Sequence, residues 1–308
     1  MSARPRLARL LRYLLIAALV VTAGLVSCTH LDAWQRQTIF APEPSPHRWW
    51  REPPDGTEVY DLVLGTGETI RTWYLAHPNP DASTVLYLHG SRWNLNGSVF
   101  RMQRWHDMGF SVVAIDYRGF GESSPLLPSE QSATEDAVLA LQELARRQPD
   151  PGKRFIYGHS LGGAIAINLA VLPKRPAIAG VITEATFTSM RAMLQTLEWG
   201  RLPGTGLLVT QRFATVDKMA KLDIPLLVIH GTADRVVPHP MSDELFNAAV
   251  QIPEQLKMHV KIDGGSHSGS IRAGQHYDAA VHEFIRRARR HVMMAHGPQD
   301  ATQRTAKR

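Results

Sequence analysis

From Glu58 onward the chain alternates two patterns, short unbroken apolar runs and stretches in which apolar positions recur every three or four residues. Residues 59–64 and 69–76 are β-rich around Gly65-Thr66-Gly67, which predicts a hairpin. Short apolar runs follow at 84–88, 111–115, 154–157, 180–183, 225–229 and 258–262. Unbroken runs of this length suit strands buried on both faces. Between them, residues 132–147 place Ala133, Ala137, Val138, Leu141 and Leu144 at helical spacing, and 162–172 reads as a second helix. Such alternation predicts an α/β fold, a mostly parallel central sheet with helices on both faces. No internal repeat or break in composition interrupts it, so a single domain over 57–291 is expected.

The first residues follow a different pattern. Residues 13–26 are a run of 14 apolar or small residues, preceded by Arg4, Arg6, Arg9 and Arg12. A membrane-spanning helix needs about 20 such residues, so the run suits the apolar stretch of a signal peptide. It ends in Leu25-Val26-Ser27-Cys28, which resembles the bacterial lipobox. The resemblance implies a signal peptide over 1–27, acylation of Cys28 and a lipoprotein anchored on the bacterial cell envelope, facing the periplasm or in the outer membrane. The other reading is an ordinary signal peptide or short anchor with a chance cysteine. Several acyl chains at ~0.8 kcal/mol per buried methylene would hold the protein on a membrane. Residues 28–56, with Pro42, Pro44, Pro46, Pro53 and Pro54, read as a tether or wrapped arm.

Composition narrows the function classes. The 308 residues are 44% hydrophobic and 20% charged, as in an ordinary globular protein. One cysteine excludes an internal disulfide or a cysteine-based zinc site. The net charge of +6 sits at the ends: the four early arginines, and seven basic residues against Asp300 after position 285, leave the middle at −4. A basic flexible tail is expected over 292–308. No basic stripe with interleaved aromatics lies between, so no nucleic-acid partner is expected.

Candidate chemistry starts after the run at 154–157, where Gly158-His159-Ser160-Leu161-Gly162-Gly163 leads into a helical stretch. This is Gly-x-Ser-x-Gly in the strand–turn–helix context that lifts a serine hydroxyl above a sheet edge. The Leu161 N–H, at the start of the helix, is placed to meet a developing oxyanion. A serine needs a base to take its proton and an acid to orient that base. Asp234 lies in the loop after the strand at 225–229, at the sheet end where α/β folds keep their sites. Asp223 lies at the wrong end of that strand, and Asp243 and Glu244 begin a helix. His267 lies in Gly264-Gly265-Ser266-His267-Ser268-Gly269, after the last strand. His259 falls inside that strand, and His276, His282, His291 and His296 fall in the final helix and tail. His159 is expected to face away from the serine hydroxyl as a structural residue.

These residues resemble the α/β-hydrolase family from about residue 58 to 290. The resemblance makes Ser160, Asp234 and His267 a catalytic triad and implies no metal or organic cofactor. Leu88-His89-Gly90-Ser91 looks like the family's oxyanion turn, so the Ser91 N–H would join that of Leu161. The turn at 116–123 looks structural. Residues 185–190 and 217–223 are similar to the branch of membrane-associated lysophospholipases and esterases, in which asparagine often stands where this chain has Ser91. A short lid is expected over about 187–222, its apolar residues either packing on the sheet or lining an acyl pocket. Trp93 is a candidate to narrow the substrate mouth, with core packing as its other reading. The implied activity is hydrolysis of small-molecule carboxylic esters or thioesters with acyl, lipid-like substrates. A serine peptidase of the same fold and a non-catalytic envelope lipoprotein are the alternatives.

Overall fold

The computed structural model describes residues 4–43, 46 and 48–295. Its elements in chain order are α1 (Arg4–Phe40), β1 (Thr57–Val63), β2 (Thr69–Leu75), β3 (Thr84–Leu88), α2 (Leu95–Asp107), β4 (Ser111–Ile115), α3 (Glu130–Arg147), β5 (Arg154–His159) and α4 (Leu161–Ala170). They continue with β6 (Gly180–Glu184), α5 (Met190–Gln195), α6 (Thr215–Met219), β7 (Leu226–Gly231), α7 (Pro240–Ala248), β8 (Lys257–Ile262) and α8 (Gln275–Ala295). The eight strands form one sheet in the order β1-β2-β4-β3-β5-β6-β7-β8. Only β1 and β2 run antiparallel to their neighbours, and every pairing from β4 to β8 is parallel.

The unbroken apolar runs are explained by two cores, one on each face. Along β3, Leu86 and Leu88 enter one core and Val85 and Tyr87 the other, and β7 alternates likewise. Successive strand side chains point to opposite faces, so a strand covered on both sides must be apolar throughout. Helices α3, α4 and α7 cover one face, and α2 and α8 the other. Ser129 caps α3 through the Ser132 N–H, with Ser132 returning a bond to the Ser129 backbone.

The segment expected as a tether is partly helix. α1 runs on through Phe40, and its last two turns dock on the body. Asp32 accepts from the Gln211 side chain, and Gln35 donates to the Leu208 carbonyl and accepts from the Thr210 N–H. Arg36 reaches the carbonyls of Leu127 and Pro128. Phe40 is fully buried, against Phe120 on one side and Phe213 on the other. Earlier in α1, Tyr13, Leu14, Leu15, Ile16 and Leu19 are exposed, and so is Cys28. No described helix is long and apolar enough to cross a membrane. The segment between β6 and β7 contains α5, two 3-10 turns and α6. Met190 and Met193 pack on the core, while Leu197, Leu207 and Leu208 face solvent. Most of the expected basic tail, 296–308, lies outside the described residues.

Candidate active site

Ser160 sits between the end of β5 and the start of α4 at φ 55°, ψ −119°. A non-glycine residue reaches that region only under strain, and here the surroundings impose it. The Ser160 N–H donates to the Glu184 carbonyl at 2.8 Å, and Thr186 Oγ1 donates to the Ser160 carbonyl at 3.2 Å. Glycine is required on both sides by close approach. A Cβ on Gly158 would run into the Gly162 backbone, and one on Gly162 into the Leu88 carbonyl.

The loops after β7 and β8 bring the other two residues to this turn. His267 Nε2 lies 3.1 Å from Ser160 Oγ, and His267 Nδ1 lies 2.8 Å from Asp234 Oδ2. A carboxylate only accepts, so Nδ1 carries the ring proton and Nε2 is left as the acceptor for the serine hydroxyl. Burial alone would raise the Asp234 pKa. Hydrogen bonds from His230 and His267 and from the Val237 N–H outweigh it and hold the carboxyl well below the usual carboxylate range. The group therefore stays ionised beneath the imidazole. His230 faces both Asp234 Oδ2 (3.2 Å) and the Val237 carbonyl (3.0 Å) through Nε2, which fixes its proton there.

Leu161 follows the serine directly, and Ser91 belongs to the turn after β3. Leu161 is the first residue of α4, where an N–H has no intrahelical partner. Ser91 follows Gly90, whose Cα approaches Ser160 so closely that an added Cβ would stand 3.2 Å from the Ser160 Cβ. The next residue, Arg92, is left-handed at φ 73° and is tied to α1, donating to the Phe40 carbonyl and accepting from the Glu43 N–H. Trp93 is half-buried, with its ring 6.3 Å from that of Trp49. Cys28 lies apart from this constellation, on α1.

Beneath the turn lies a buried polar network that motif reading missed. Arg101 Nη1 donates to Tyr157 Oη (2.6 Å) and Glu184 Oε1 (3.0 Å), and the hydroxyls of Tyr157 and Tyr277 donate to Glu184 Oε2. Arg101 and Glu184 are 2% and 0% exposed, so the charges compensate each other out of water. Arg101 Nη2 also reaches the Ser268 carbonyl at 3.4 Å. His159, expected as a structural residue, lies with its ring centroid 5.0 Å from that of His267. Its Nε2 bonds the His267 carbonyl at 2.9 Å, so the proton resides on Nε2. Burial, then the charges of Arg101 and His267, push the His159 pKa well below the ordinary histidine value and keep it neutral.

Comparison with known proteins places this geometry in context. The model of the family described as serine aminopeptidase, S33, matches residues 79–214, a stretch that holds Ser91, Ser160 and Leu161 and stops short of Asp234 and His267. An uncharacterized protein of Mycobacterium tuberculosis, MT2364, is 30% identical over 265 residues, covering 83% of this chain and 89% of that protein. Lysophosphatidylserine lipase ABHD12 of Danio rerio is 30% identical over 228 residues, covering 67% of this chain and 59% of the relative. Among solved structures, the Pyrococcus furiosus esterase Pf2001 superposes with a TM-score of 0.62 at 16% identity, covering 80% of this chain and 98% of the esterase. At that identity the likeness speaks for the fold alone.

Proposed function

Because this chain belongs to the α/β-hydrolase family, in company with the Mycobacterium tuberculosis relative, and is a hydrolase, we propose that it cleaves carboxylic esters or thioesters of acyl, lipid-like substrates through Ser160, His267 and Asp234. The observation that carries this reading is the continuous hydrogen-bonded line from Ser160 Oγ through the His267 ring to Asp234. In the proposed reaction His267 Nε2 takes the Ser160 proton as Oγ attacks the carbonyl carbon, and Asp234 stabilises the imidazolium that forms. The N–H groups of Ser91 and Leu161 receive the oxyanion, each such donor being worth about 3–4 kcal/mol. The imidazolium then returns its proton to the leaving alcohol or thiol. Water, activated by the same base, frees the acid from Ser160.

The ester reading draws support from ABHD12, named as a lipase, while the family description speaks for a peptidase. The two are separated by comparing nitrophenyl acyl esters with aminoacyl-naphthylamides on the wild-type protein and on Ser160→Ala. Ester turnover that exceeds amide turnover and disappears in the variant is the expected result. Amide turnover in excess would transfer the assignment to the peptidase.

The membrane also belongs to this proposal. An acylated Cys28, exposed on α1, would fix the chain to the bacterial cell envelope. Mass spectrometry of the mature N-terminus is expected to find acyl chains on Cys28, and a mature chain beginning at another residue would refute the anchor.

A further inference from the structure

The catalytic reading says nothing of what the alcohol part of the substrate carries. A cleft of about 380 Å³ beside the His267 loop bears on that. Trp49, Trp93 and Phe100 supply its aromatic lining, Ser266 and Ser268 its hydroxyls, and Arg51 and Arg272 its charge. Among the described residues that line it there is no carboxylate. The Arg272 guanidinium rests 4.9 Å above the Phe100 ring, and Arg51 donates to the Trp50 carbonyl. Among the described residues neither arginine is held in an ion pair. We propose that this cleft binds an anionic group, phosphate or carboxylate, borne by the alcohol part of the ester. The proposal rests on the ester-hydrolase reading above.

Three features carry the argument. The first is position. Ser266 and Ser268 are the neighbours of His267, and the group that protonates a leaving oxygen stands on the alcohol side of the scissile bond. The departing alcohol therefore passes along the loop that walls this cleft. The second is chemistry. Two unpaired guanidinium groups with no compensating acid repel cations and offer forked donors to an oxyanion, a geometry that suits phosphate and carboxylate alike. The aromatic rings give the carbon skeleton a surface to lie on.

The third feature is that the cleft is built. The backbone of Arg51 is pinned on both sides of its Cα, its N–H donating to the Asn96 carbonyl at 3.1 Å and its own carbonyl accepting from Asn96 Nδ2 at 2.9 Å. Asn96 is itself 5% exposed, at the start of α2. The arm thus holds Trp49 and Arg51 against the body before any ligand arrives, which lowers the ordering cost of binding.

The test compares three lauroyl esters, those of glycerol, glycerol 3-phosphate and lactate, on the full-length protein and on Arg51→Gln and Arg272→Gln. The expected result is a kcat/KM for an anionic ester that exceeds the glycerol ester by on the order of 10-fold, what one charge-assisted hydrogen bond supplies. Raising the salt should erode that ratio, and either variant should move it toward one. A ratio is read because it cancels any general loss of activity. A preference for the phosphate ester alone identifies phosphate, and for the lactate ester alone, carboxylate. Equal turnover of all three esters by the wild type, or a preference that survives both substitutions, overturns the proposal. Calorimetric titration of Ser160→Ala with glycerol 3-phosphate and lactate reads the cleft without turnover. Binding without ester cleavage would refute the ester reading and leave the cleft standing. Cleavage without preference or binding would do the reverse.

Discussion

A carboxylate removed from water must find its donors in the protein. The side chain of Asp234 is fully buried and has four within 3.2 Å: the N–H groups of Val236 and Val237, His267 Nδ1 and His230 Nε2. Asp234→Asn should keep the shape and lose the charge, lowering kcat by about 10⁴-fold with the circular dichroism unchanged. The sign of the stability effect follows from the lowered pKa. The folded protein binds the proton less readily than the unfolded chain, so Asp234 stabilises above its ordinary value of 3.8, and that contribution is lost as the pH falls from there toward its folded pKa. Urea denaturation should show the gap between wild type and Asp234→Asn holding constant from about pH 7 to about pH 5 and narrowing as the pH falls below about 4.

His159 has the same sign of dependence at a higher pH. It is held neutral, so the unfolded chain takes up a proton below the ordinary value of 6.5 that the folded protein refuses. Stability is therefore lost as the pH falls through 6.5, at up to about 1.4 kcal/mol per pH unit. His159→Gln should lack this loss. Its amide can still donate to the His267 carbonyl, so kcat should fall further in His159→Ala than in His159→Gln. Equal losses in the two variants would show that the bond to His267 does not position the imidazole.

Among the elements, α1 shows most clearly what a local pattern leaves out. Asp32, Gln35, Arg36 and Phe40 lie at helical spacing, yet the prolines from 42 onward and the lipobox before them make the segment read as a tether. What keeps it helical is tertiary: Phe40 packs against Phe120 and Phe213, and Gln35 ties the helix to the segment between β6 and β7. Phe40→Ala should cost about 3–5 kcal/mol in urea denaturation. Deleting residues 1–29 should leave the urea midpoint in place, whereas deletion through Ala41 should lower it. The strands β3 to β7, by contrast, were legible throughout, because burial on both faces forces an unbroken apolar run that short-range pattern reports directly. Gly158 to Gly162, Asp234 and His267 were legible for a related reason, since each sits in a loop that a strand end identifies. The Arg101–Glu184 pair was not legible. Its members are 83 residues apart, and nothing in either local sequence announces that the sheet will bring them together beneath Ser160.

At the scale of the whole molecule, the net charge is distributed unevenly along the sequence. The +6 belongs to the two ends, and the exposed apolar residues of α1 precede the docked turns that join the body. Under the proposed anchoring, Cys28→Ser should move the protein from the envelope fraction to the soluble fraction, and retention of the variant in the envelope would assign the attachment to α1 itself. The body is otherwise one sheet with two cores, and the loops bearing Ser160, Asp234 and His267 converge at the strand ends where parallel sheets place their sites. The claim on which the rest depends is that Ser160 is a nucleophile activated by His267. Intact-mass measurement after reaction with a fluorophosphonate tests it most directly. One adduct on the folded wild-type protein, none on Ser160→Ala and greatly slowed labelling of His267→Ala are predicted. A folded wild type that gains no adduct, or a Ser160→Ala variant labelled as fast as the wild type, would contradict it.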